Sequence, residues 1–148
     1  MNRAVAILTA SLVTSVVTGC VSPSRTDRDY ELKAGNTAKA VASSVATAVL
    51  GADAAGRHKA TGPYLSVLMG IAEKDALAVQ STFDSVQPPD AAADRLRSTV
   101  DDLLGSATTG LTEMRIVSRR GELDKLPALA DRLRSTLDEL RFLADRFQ

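Results

Sequence analysis

The side chains best suited to chemistry in this chain are few: one cysteine, one histidine and a scatter of carboxylates. Cys20 is the lone thiol, so the chain holds no second cysteine for a disulfide, and a Cys/His zinc site cannot be assembled from Cys20 and His58 alone. His58 lies in Arg57-His58-Lys59-Ala60, which reads as a loop; a solvated imidazole and a lone general base are the two readings there. Di-metal helical bundles need Glu-x-x-His on two helices plus further glutamates, and a chain with one histidine cannot supply that set. No glycine-rich loop opens a helix after a strand, the arrangement that cradles phosphate. Asp101-Asp102 and Glu73-Lys74-Asp75 gather acids, but on a helix they read as exposed faces rather than as an acid–base pair. The residue types therefore imply no catalytic set, no metal and no cofactor, and the expectation is a protein that is not an enzyme.

The setting of Cys20 is more informative than its thiol. Met1-Asn2-Arg3 carries positive charge, residues 4–17 carry none, and small Gly19 stands directly before Cys20. Fourteen uncharged residues suit the apolar core of a signal peptide and are short for a membrane span, which needs roughly 20. Val17-Thr18-Gly19-Cys20 resembles, position for position, the lipobox of bacterial lipoproteins. The resemblance implies diacylglycerol on the Cys20 sulfur, cleavage before Cys20, and a mature protein held by lipid at the extracytoplasmic face of a cell membrane, or of an outer membrane in a diderm. Residues 1–19 are then the signal peptide and 20–28 the lipidated cysteine and its tether. Two acyl chains hold a protein stably at a bilayer where one is marginal.

Without residues 1–19 the chain keeps 17 Lys and Arg against 18 Asp and Glu, a balance that argues against nucleic acid as a partner. Aromatic residues are five and tryptophan is absent, which removes the stacking platforms that bind single strands. Alanine is abundant, β-branched clusters are few, and glycine and proline sit at breaks, so the expected class is all-α.

Apolar residues recur at spacings of three and four in four stretches, predicting helices over 29–56, 62–87, 90–119 and 124–147. The first stripe is thin: Tyr30, Ala34, Thr37, Val41, Val45, Ala48, Ala52 and Ala55, ending at Gly56 as the residue beyond the cap. The second runs through Leu65, Met69, Ala72, Ala76, Val79, Phe83 and Val86, and stops at Pro88-Pro89. The third holds Leu96, Val100, Leu103, Ala107, Leu111 and Met114, with Gly105 and Gly110 marking a bend or a close approach. Gly121 ends it, and the fourth carries Leu126, Ala130, Leu133, Leu137, Leu140, Ala144 and Phe147. Short connections between long helices predict an up-down-up-down antiparallel four-helix bundle over 29–148. Residues 91–104 and 128–141 agree at ten of fourteen positions, 37 apart, either as a duplicated face or as one solution to starting a helix used twice. In each copy an i,i+4 pair is expected on a solvated face, Arg97 with Asp101 and Arg134 with Asp138. The latter half of the chain is also similar, loosely, to small helical lipoproteins of high-GC, actinobacterial-type bacteria, a likeness that implies no site residue.

Two surfaces emerge as candidates. If Cys20 is at the membrane, the loops at 56–63 and 119–125 share the far end, where Arg57, Lys59, Arg119, Arg120 and Lys125 face Glu122 and Asp124 for a net +3. That tip suits an anionic cell-envelope polymer or an acidic protein, although cations at helix C-termini also serve the helix dipole. The stretch from Tyr64 through Leu68, Gly70 and Ile71 is apolar nearly all round; it either covers the thin first helix or binds a partner or a lipid-like ligand. The function expected is a non-catalytic interaction or structural module at the membrane, the alternative being a tethered carrier or sensor with a pocket between helices.

Overall fold

A computed structural model describes residues 26–148, so the expected signal peptide, the Val17-Thr18-Gly19-Cys20 motif and most of the tether lie outside the described residues. The described residues are all-helical: α1 (Asp27–Gly56), α2 (Gly62–Asp84), α3 (Ala91–Arg119), a single 3₁₀ turn (Leu123–Lys125) and α4 (Leu126–Arg146), the four helices packed against one another. None is long and apolar enough to cross a membrane.

Each start and stop has a local cause. Thr26 accepts the Asp29 N–H at 3.1 Å, so α1 begins two residues earlier than its apolar stripe suggests, with Asp27 and Asp29 at the positive end of the helix dipole. Its far end departs from expectation. Gly56 stays helical, and His58 takes the left-handed conformation instead (φ 53°), while His58 N–H reaches Ala55 O and Lys59 N–H reaches Ala54 O. This is the Schellman arrangement, with histidine where glycine is usual. Gly121 (φ 73°) performs the same task after α3, with Glu122 N–H on Val117 O.

Helix α2 stops at Asp84, three residues short of the expected 87, because a proline ring at 88 would collide with the carbonyl four residues back. The carbonyls left open there are met across the connection: Arg97 of α3 donates to Asp84 O at 2.8 Å and Val86 O at 3.2 Å. Asp90 is the cap of α3 rather than its first residue, its carboxylate accepting Ala92 and Ala93 N–H at 2.8 and 2.9 Å. The expected 124–147 helix resolves into the 3₁₀ turn and α4, with Pro127 in the first turn, where a missing N–H removes no bond.

The core is the set of stripes read from the sequence, with instructive exceptions. Tyr30, Val41, Val45, Leu65, Met69, Val100, Leu111, Met114, Leu126 and Leu140 are fully buried. Thr37 and Val79 are half-buried, and in α3 it is Leu104, not Leu103, that is sealed in the core. Small residues set the close approaches. A methyl on Gly35 of α1 would lie 3.0 Å from the Phe147 Cβ and carbonyl, and one on Gly110 of α3 would lie 2.5 Å from Leu133 Cδ2. Gly110 is thus a close contact rather than a bend, since α3 runs unbroken through it.

Candidate functional site

The half-buried leucines of α3 lead to the site. Leu96 and Leu103 line a cleft of about 640 Å³ formed by the start of α1, the first half of α3 and the last half of α4. Tyr30, Phe142, Leu143 and Phe147 complete its apolar wall, so three of the chain's five aromatic residues meet there. Phe142 stands at the mouth, 69% exposed, on the side of α4 away from the Leu137–Leu140–Ala144 stripe. Along α3 the cleft extends from Ala92 to Leu103, about 16 Å at the helical rise of 1.5 Å per residue.

Beside the cleft two buried polar atoms have no hydrogen-bond partner among the described residues. Tyr30 is fully buried with its ring tilted against Phe83, 5.7 Å between centroids, and its hydroxyl has no hydrogen-bond partner among the described residues. Burial pushes its phenol above the ordinary range; Asp101 and Asp94 push the same way and Arg97 opposes them. Asp101 is also raised by burial, although Arg97 lies 3.5 Å from one carboxylate oxygen; the other is buried without a partner among the described residues. Asp101 thus keeps the expected i,i+4 pair with Arg97 and stays partly exposed, with one of its two oxygens sealed from solvent.

The rim is charged. Asp27, Glu31, Asp138 and Glu139 line it together with Arg95 and Arg146, a net −2. The Arg146 guanidinium lies over the Phe147 ring at 5.2 Å from its centroid.

The candidates from the sequence fall elsewhere. Contacts of Gly56 with Pro127 and of Gly62 with Leu123 bring the two loops of the basic tip to one end of the helices. Arg57, Lys59, Arg119, Arg120 and Lys125 are all exposed there. Lys125 is not an open cation: Glu122 takes its ammonium in an ion pair that raises the lysine and lowers the glutamate. On α2, Tyr64 (58%), Val67 (62%) and Ile71 (53%) are exposed, whereas Leu68 turns toward α1, its Cδ2 filling the space where Gly51 has no side chain. None of Tyr64, Leu68, Gly70 and Ile71 lines the cleft.

Two further corrections concern charge. Glu73 is not an exposed face residue: Thr112 Oγ1 donates to it at 2.7 Å and Arg115 Nε donates to its other oxygen, on the seam between α2 and α3. Burial acts against the charged carboxylate, yet the bonds from Thr112 and Arg115 outweigh it and hold its pKa below the usual glutamate value. In the second copy of the internal repeat, Arg134 does not pair with Asp138; it reaches Asp53 of α1 at 2.7 Å and also meets Asp131, while Asp138 faces Arg141 at 3.7 Å. Arg97 and Arg134 thus do different work, one closing carbonyls of α2 and the other tying α4 to α1.

The cleft itself escaped sequence reading because Leu96 and Leu103 keep perfect stripe spacing. The available signal was Phe142, an aromatic residue off the stripe of α4 and five residues before Phe147. Among the described residues no three His, Cys, Asp or Glu side chains gather to hold a metal ion. Comparison with protein-family models, curated proteins and solved structures finds no match to the chain.

Proposed function

We propose that this chain is a lipid-anchored, extracytoplasmic binding module without catalysis, whose cleft among α1, α3 and α4 takes a lipid-like ligand. The observation that carries this reading is the cleft: its volume of about 640 Å³ falls in the roughly 300–1,000 Å³ range of small-molecule sites, and its walls are aliphatic and aromatic. An exposed phenylalanine at the mouth of such a cleft is surface that an apolar ligand would cover. The arrangement proposed is an up-down-up-down antiparallel bundle, supported by Tyr30 meeting Phe83, Gly51 meeting Leu68, Gly35 meeting Phe147 and Gly56 meeting Pro127. With diacylglycerol on Cys20, the seven residues from Cys20 to Asp27 would reach at most about 25 Å, so the cleft would stay near the bilayer that supplies its ligand.

The test is lipid carried through purification from a bacterium that processes lipoproteins, read by mass spectrometry. The N-terminal peptide should begin at an acylated Cys20; an intact leader or an unmodified thiol would remove the anchor. Phe142→Asp should lose co-purifying lipid while Tyr64→Asp, on the exposed face of α2, keeps it. Equal retention by both would end the cleft reading.

A second reading rests on the exposed cations Arg57, Lys59, Arg119 and Arg120 at the basic tip. They suit an anionic envelope polymer, and sedimentation with cell-wall material should fall on Arg119→Glu with Arg120→Glu if that surface binds.

A further inference from the structure

We propose that the ligand of the cleft is a single-chain amphiphile whose headgroup is positively charged. This rests on the cleft reading above and adds the headgroup, which the rim decides. A hydrocarbon chain suits the floor made by Leu96, Leu103 and Leu143, and the cleft's length of about 16 Å along α3 is that of an extended chain rather than of a compact ring system.

The polar end of such a ligand must sit among the rim charges, where Asp27, Glu31, Asp138 and Glu139 outnumber Arg95 and Arg146. That net −2 is the sum over the lining itself, and two further cations, Arg28 and Arg141, stand just outside it. Arg146 lies over the Phe147 ring, 5.2 Å from its centroid, and keeps its full charge at the mouth. Arg28 is 3.8 Å from Glu31 and Arg141 is 3.7 Å from Asp138, exposed enough for solvent to screen both pairs. A carboxylate, sulfate or phosphate headgroup would meet like charge at this mouth, whereas an ammonium would meet opposite charge. The rim therefore selects by sign, as the walls select by polarity.

The chain lacks tryptophan, so Phe142→Trp places a single reporter at the mouth. The full chain would carry this change with Cys20→Ser, so that no acyl chain of its own competes. It is titrated below micelle concentration with two amphiphiles of equal chain length, dodecyltrimethylammonium and dodecyl sulfate, at low salt. The ammonium compound should bind about fivefold or more tightly, with the gap narrowing in high salt as the charges are screened. Asp138→Lys with Glu139→Lys, both at exposed positions, turns the rim from −2 to +2 and should invert the preference. Equal affinities, or tighter dodecyl sulfate, would overturn the headgroup inference and leave the cleft reading standing. No emission change with either compound would overturn both. A basic amphipathic peptide that displaced the ammonium compound completely and bound more tightly would also overturn it, assigning the cleft to a protein partner.

Discussion

Replacing Glu73 with glutamine tests how the α2–α3 seam is held. The carboxylate takes Thr112 Oγ1 at 2.7 Å on one oxygen and Arg115 Nε on the other, with side-chain exposures of 12% for Glu73 and 24% for Arg115. Glutamine keeps an acceptor for Thr112 but loses the charge facing Arg115. Hydrogen bonds to charged groups contribute about 1.5–3 kcal/mol, against about 0.2–1 kcal/mol for exposed ion pairs. The low exposure of both partners selects the first range, so Glu73→Gln should cost about 2 kcal/mol at neutral pH. With a urea dependence of about 1–3 kcal/mol per molar for a domain of this size, the unfolding midpoint should fall by about 1 M. The carboxyl is held below its ordinary value of 4.5, so its contribution is complete above that value and is lost as the pH falls through the folded value. The gap between the two proteins should therefore narrow as the pH falls below 4.5 and through the lowered folded value. A loss below about 0.5 kcal/mol at pH 7, the size expected of an exposed pair, or a gap that survives unchanged into acid, would refute the assignment.

Two glycines of α3 should respond differently to alanine. A methyl on Gly105 meets nothing within 4 Å, so Gly105→Ala should add about 1 kcal/mol through helix propensity alone. On Gly110 the same methyl would press within 2.5 Å of Leu133 Cδ2 and 2.8 Å of Cγ, and crowding of about 1–3 kcal/mol should cancel or reverse that gain; thermal unfolding of the pair reads the difference. His58 occupies a left-handed position that glycine adopts without strain, so His58→Gly should stabilise the chain by about 0.5–1 kcal/mol in urea unfolding; destabilisation would mean that the imidazole makes a bond the α1 turn depends on.

Helix number, class and breaks were legible from single residues: Pro88-Pro89, Gly121, Asp90 three residues before the first buried alanine of α3, and the stripes at three-and-four spacing. Boundaries shifted where a side chain just outside the stripe did the capping, as at Thr26, or where a histidine stood in for glycine, as at His58. The tip was legible as a place: Gly56 meets Pro127 and Gly62 meets Leu123, so the loops at 56–63 and 119–125 lie together. The pairing within it was not, since Lys125 is answered by Glu122 three residues before it. The apolar surface of α2 was half legible: Tyr64 and Ile71 are exposed, but Leu68 is claimed by α1 at Gly51.

What the chain determines by itself is therefore local: which stretches coil, where each coil begins and ends, and which face is apolar. These depend on hydrogen bonds and side-chain rows that close within four residues. The cleft, the separate duties of Arg97 and Arg134, and the partly buried Glu73 were decided only by tertiary structure. In each case the outcome depends on side chains brought together from different helices. Leu96 and Leu133 occupy equivalent places in nearly the same local sequence, yet one borders an open cleft and the other seals against Gly110, because only the neighbouring helix differs.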